Sequence, residues 1–217
     1  MKRKSLVVLG MHRSGTSATA RVLSLLGAGL PKNILVADVA NSAGYWEPNR
    51  LLALNDRLLS AGASRWDDWR RFDFDAVPPA DLLQLRDEIG ATLGAEYGEQ
   101  PLIVLKEPRL CRIMPLYDDV LRAAGIAPLF VLPVRNPLAV ISSLAARNGM
   151  TEGFAALLWL RHVLDAEAAS RTRPRAIMSY ERLLADWRGT MNQVGARLGL
   201  RWPVGFDEAA PDIEALL

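Results

Sequence analysis

Residues able to hold an anion recur at four places: Gly10-Met-His-Arg-Ser-Gly-Thr-Ser17, Lys106-Glu-Pro-Arg109, Arg135 with Ser143 eight positions on, and Tyr180. The first has the glycine spacing of a loop whose backbone N–H groups turn onto phosphate where a helix begins. A nucleotide triphosphatase loop of this spacing needs a lysine after its second glycine, and Thr16 stands there instead. The cation comes earlier, at Arg13. From inside the loop its guanidinium fork can grip a phosphate or sulfate oxygen.

Elements must bring these residues together. Leu6-Val-Val-Leu9, Leu102-Ile-Val-Leu105, Leu129-Phe-Val-Leu132 and Ala176-Ile-Met178 are short apolar runs, the pattern of strands buried on both faces. Helical spacing fills the gaps. It runs through Leu26 to Gly27, across Leu51, Leu54 and Leu58 after Pro48, and across Leu82, Leu85, Ile89 and Leu93. Further helices are expected from Met114 to Ala124, from Leu138, from a Thr151 cap to about Ser170, and through Leu183, Leu184 and Trp187. Strands alternating with helices predict an α/β, three-layer fold in which helices flank a central parallel sheet of four to five strands. One domain over residues 1–217 is expected. Such a sheet takes ligands at the carboxyl ends of its strands, where all four anion-holding segments fall.

Composition narrows the function. The 217 residues carry 26 basic and 24 acidic side chains, a net charge of +2 that is too small to imply a nucleic-acid partner. Half the residues are hydrophobic and 23% charged, as in a globular protein. The one cysteine, Cys111, permits no intrachain disulfide, and the two histidines, His12 and His162, form no H-E-x-x-H pair. No metal is expected. The basic start leads into an apolar run that stops at His12-Arg13, and no run approaches the roughly 20 residues of a membrane span. A cytoplasmic location is expected.

Together the four segments resemble the PAPS-dependent sulfotransferases, over roughly residues 5 to 190, most closely the bacterial and carbohydrate-type members. The stretch Arg13, Ser14, Gly15, Thr16, Ser17 is similar to their 5′-phosphosulfate loop, with Arg in place of the commoner Lys. Arg135 and Ser143 resemble the pair that grips the donor's 3′-phosphate. Lys106 resembles the lysine that neutralises the transferring group, and Tyr180 the tyrosine beside the adenine. Two features depart from the cytosolic members that act on small phenols and alcohols. Pro108 replaces their His base, and their C-terminal glycine-rich loop is not recognisable.

The resemblance therefore points to Glu47, in Gly44-Tyr-Trp-Glu-Pro48, as the base, with Arg13 and Lys106 stabilising the transferring group. His12, beside the loop, joins the catalytic candidates as a substrate contact or base, or else only hydrogen-bonds locally. Glu107 is expected to pair with an arginine, and His162 and Cys111 to be structural. Trp66 and Trp69 form either a sugar-stacking rim or a loop pinned to the core. The implied activity moves a sulfuryl group from PAPS to a hydroxyl of a carbohydrate or other small metabolite, without a metal. The alternatives are a kinase-like ATP-dependent phosphotransferase and a non-catalytic nucleotide-binding protein. Oligomeric state is not indicated.

Overall fold

The computed structural model describes residues 3–37 and 44–217. Its strands are β1 (Lys4–Val8), β2 (Leu102–Lys106), β3 (Ala127–Val134) and β4 (Arg175–Ser179). All pair in parallel, in the order β2-β1-β3-β4. The expected range of four to five strands resolves to four among the described residues. Chain alternation explains their uniformly apolar sequences. Leu6, Val8, Val104, Val131 and Met178 point to one side of the sheet, and Val7, Leu9, Ile103, Leu105 and Phe130 to the other.

Helices cover both sides. The first side packs against α1 (Thr16–Leu25), α8 (Trp187–Leu198) and α9 (Phe206–Leu216). The second packs against α2 (Asn49–Ala61), α3 (Pro79–Tyr97), α4 (Leu110–Ala123) and α6 (Glu152–Ser170). The short α7 (Tyr180–Ala185) joins the first side through Leu183, and α5 (Pro137–Asn148) packs with α6 in a smaller cluster of its own. The chain leaves β1 towards β2, then crosses to the far side of β1 for β3. The topological switch therefore lies at the carboxyl end of β1, where an α/β sheet opens its binding crevice.

Two local expectations need correction, and one helix was not foreseen. The helix expected from Met114 begins at Leu110 and kinks at Ile113 (φ −118°), two residues before Pro115, which has no N–H to donate. The helix through Trp187 is two helices, because the Asp186 side chain accepts from Gly189 N at 2.8 Å and starts α8 afresh. The C-terminal α9, which carries Pro211 within it, showed no clear signal in the sequence. Thr151 does cap α6, its hydroxyl accepting from Phe154 N at 3.3 Å. Among the described residues, no helix is long and apolar enough to cross a membrane.

Candidate functional site

The loop after β1 makes two left-handed turns, at Arg13 (φ 70°) and Gly15 (φ 83°). The second costs glycine nothing; the first places a non-glycine residue in a sparsely populated region, a strain found mostly at functional sites. Gly15 precedes α1, which has no side-chain cap and no acidic residue in its first turn. Its positive end therefore meets no carboxylate of its own. Arg13 Nε donates to Ser143 Oγ at 2.8 Å, and Arg135 Nη1 donates to the Arg13 carbonyl at 2.8 Å. The Arg135 guanidinium lies 5.4 Å from the centre of the Tyr180 ring. The loop, the end of β3 and the start of α7 thus meet around a cleft of about 240 Å³ lined by Arg13, Gly15, Thr16, Arg135 and Tyr180.

At the end of β2, Lys106 is buried, and its Nζ donates to three oxygens. These are Glu47 Oε1 at 2.5 Å, the Tyr45 carbonyl at 3.0 Å and Ser17 Oγ at 3.2 Å. Glu47 is itself buried. It lines a second cleft, also about 240 Å³, together with His12, Tyr45, Leu52 and Trp66. His12 presents an edge-on contact to Trp66, with ring centres 5.2 Å apart. Its Nε2 is buried and has no hydrogen-bond partner among the described residues. Desolvation, with the charges of Arg147 and Arg109 nearby, pushes the ring's protonation well below its ordinary range, so the imidazole is neutral at pH 7.

A model of the sulfotransferase family matches residues 5–204. The chain belongs to that family. Among curated proteins, none matches it significantly in sequence. Solved structures share the fold at low identity. A sulfotransferase domain from the curacin biosynthetic pathway aligns with TM-score 0.54 and 17% identity, over 96% of this chain and 77% of that one. One from the Synechococcus PCC 7002 olefin synthase aligns with TM-score 0.54 and 20% identity, over the same shares. Sulfotransferase STF1 from Mycobacterium tuberculosis H37Rv aligns with TM-score 0.54 and 16% identity, over 98% of this chain and 71% of that one. Family membership implies PAPS as the sulfate donor.

In this sulfotransferase Arg13, Ser14, Gly15, Thr16 and Ser17 share one turn, and Arg135, Ser143 and Tyr180 surround it. Glu47 and Lys106 touch, and His12 shares a cleft with Glu47. Arg109 does not join the anion-holding set. Its Nη1 donates to Glu107 Oε1 at 2.7 Å and its Nε to Asp56 Oδ1 at 2.6 Å. Glu107, fully buried, also accepts from Asn55 Nδ2 at 2.7 Å, as expected of a structural ion pair. Burial pushes its carboxyl up, and Arg109 offsets part of that rise. His162 is buried with Nδ1 against the Leu158 carbonyl at 2.9 Å, and Cys111 is buried among core residues. Trp66 is part of the second cleft, whereas Trp69, on the same loop, is 49% exposed. No group of His, Cys, Asp or Glu among the described residues could hold a metal ion.

Among the lining residues of the first cleft that the sequence did not single out are Trp46 and Leu216. Trp46 stands in a left-handed conformation (φ 57°) with the Arg21 guanidinium 4.6 Å above its ring. Only its place beside Glu47 hinted at a role. Leu216 arrives from α9 and belongs to no motif.

Gly15 offers a direct check on this geometry. A Cβ there would lie 2.1 Å from Tyr180 Cδ2, on a backbone that L-residues avoid. The ring or the loop must move, at about 1–3 kcal/mol of strain. Gly15→Ala is expected to weaken binding of PAP, the 3′,5′-bisphosphate product, by about tenfold or more in calorimetry. Unchanged affinity would show that neither the loop nor Tyr180 contacts the nucleotide.

Proposed function

We propose that the chain transfers a sulfuryl group from PAPS to a hydroxyl of a carbohydrate or other small metabolite. One observation carries the reading. Lys106 Nζ hydrogen-bonds both to Ser17, which lines the first cleft, and to Glu47, which lines the second. A single buried cation therefore stands where the contents of the two clefts would meet.

PAPS supplies a sulfuryl group on a phosphate that leaves with negative charge, so the protein's task is chiefly positioning and charge stabilisation. In this reading the loop at Arg13, Ser14, Gly15, Thr16 and Ser17 and the start of α1 hold the 5′ anion. Arg135 and Ser143 hold the 3′-phosphate. Ser143 accepts from Arg13 and keeps its own O–H to donate, and Arg135 has further N–H groups in its fork. Tyr180 flanks the adenine. The fit is favourable: the first cleft joins two guanidinium groups to an aromatic wall.

In the second cleft Glu47 accepts the proton of the acceptor hydroxyl. His12 shares the cleft, and its unpartnered Nε2 suits a hydrogen bond that orients the hydroxyl. Leu35, Leu52 and Trp66 give the cleft an apolar wall, opposite a polar set that includes Arg109 and Arg147 as well as Glu47 and His12. Thr16, standing where an ATP-using loop has its lysine, weighs against phosphoryl transfer.

The test is transfer of labelled sulfate from PAPS to a panel of sugars, phenols, aliphatic alcohols and amines. Labelling of hydroxyl acceptors, sugars or small metabolites among them, is expected. Labelling of amines alone, or of nothing while PAP binds, would overturn the acceptor assignment.

A further inference from the structure

We propose that the acceptor is an anion, a hydroxyl-bearing carboxylic acid or phosphate ester, and that Arg147 selects it by pairing with its charge. The inference rests on sulfuryl transfer to a hydroxyl and narrows the acceptor of that reaction.

The position of Arg147 follows from the helix that carries it. Ser143 and Arg147 are four residues apart on α5, so they share one face, about 6 Å apart along the axis. Ser143 meets Arg13 beside the first cleft, and Arg147 lines the second with Glu47 and His12. One turn of α5 therefore leads from the donor's cleft to the acceptor's. Arg147 is half-buried, and its Nε donates to the neutral Asn148 side chain at 2.8 Å. A guanidinium holds five N–H donors, enough to keep such a contact and fork onto an anion as well.

Charge in the second cleft favours an anion. Among its lining residues, Arg109 and Arg147 are cations and Glu47 is the acid. Lys106 already matches Glu47, and Arg109 is committed to Glu107 and Asp56. His12 reports the field. Of the charges that lower its protonation, Arg147 acts most strongly, followed by Arg109. A bound PAPS adds negative charge next door and repels a second anion. A cation on the acceptor's side offsets that repulsion, and an uncharged acceptor has no need of it. Leu35, Leu52 and Trp66 leave an apolar wall for the carbon body. In the transfer the hydroxyl oxygen bonds sulfur as the sulfur–oxygen bond to the PAPS phosphate breaks, and the hydroxyl proton passes to Glu47. The acceptor's own carboxylate or phosphate takes no part in this exchange and stays on Arg147.

Transfer of labelled sulfate to matched acceptors tests the proposal: mandelate against its methyl ester, glucuronate against glucuronamide, and glycerol phosphate against glycerol. Each uncharged member keeps a hydroxyl and loses the anion. Wild type is expected to favour the charged member by about tenfold or more in kcat/KM, the scale of one charged hydrogen-bonded pair. The carboxylate and phosphate pairs show which anion fits. In Arg147→Gln the preference should vanish through a raised KM for the charged member, and Arg147→Lys should restore part of it. PAP binding in calorimetry reports that each variant is folded, and the wild-type comparison alone decides the acceptor's charge if one is not. Uncharged acceptors labelled as well as charged ones would overturn the proposal and leave sulfuryl transfer standing. An equal loss for both members in Arg147→Gln would make the residue part of the transfer itself and end its selecting role. No labelling of any acceptor while PAP binds would sink the transfer reading, and this inference with it.

Discussion

Glu47→Gln is expected to lower turnover by about 10²–10⁴-fold, the share usually supplied by a general base. The amide keeps the shape of the side chain and can still accept from Lys106, but it cannot take a proton. PAP affinity should hold or rise slightly. In the native protein the Glu47 carboxylate accepts from Lys106 Nζ at 2.5 Å, and its removal leaves that cation's charge more available to a bound anion. Single-turnover transfer from labelled PAPS separates the two effects, since it reads chemistry with the donor already bound. Near-native turnover would remove Glu47 from the role and direct attention to the other acidic groups near the site.

Lys106 should show the second large effect, about 10²–10³-fold in kcat, the scale of losing one preorganised charge donor to a transition state. A lone Lys106→Ala substitution would confuse matters. It strands the Glu47 carboxylate, 3% exposed, with no cation, and breaking one side of a buried pair costs about 3–5 kcal/mol of stability. The cleaner comparison is Lys106→Met with Glu47→Gln against Glu47→Gln alone, since the amide by itself already removes the base. The double variant should recover most of the lost stability and none of the turnover. If Lys106 acts mainly in the transition state, kcat falls far more than PAP affinity. Equal losses in both would make it a ground-state phosphate contact.

Much of this arrangement was legible in the residues. Strands β1, β2 and β3 announced themselves because each is buried on both faces, which leaves an uninterrupted apolar run, whereas edge strand β4 is covered on one face only. The fold's rule that ligands gather at strand ends made Arg135 and Tyr180 stand out. Glycine spacing revealed the Arg13 loop. Contacts between distant segments were not legible. Lys106 and Glu47 lie 59 positions apart, and nothing in either segment states that they touch. Arg109 reads as an available cation at a strand end until Asp56, from α2, and Glu107 are seen to hold it. The helix break at Asp186 rests on one local hydrogen bond, the side chain accepting from Gly189 N, which apolar periodicity does not report. Trp46 escaped notice because its conformation is set by its neighbours, and Leu216 because a lining residue needs no motif.

The central claim is that the cleft around Arg13 is built for a nucleotide carrying a 3′-phosphate. ATP, ADP and PAPS all present a 5′ anion to the loop, so only the groups outside it can tell them apart. Arg135 and Ser143 are those groups, and a hydrogen bond to a charged partner contributes about 1.5–3 kcal/mol. Calorimetry with PAP and ADP on wild type and on Arg135→Ala reads this directly. Wild type should favour PAP by at least about tenfold. In Arg135→Ala that preference should collapse while ADP affinity changes little. Equal binding of PAP and ADP to the wild type would contradict the account.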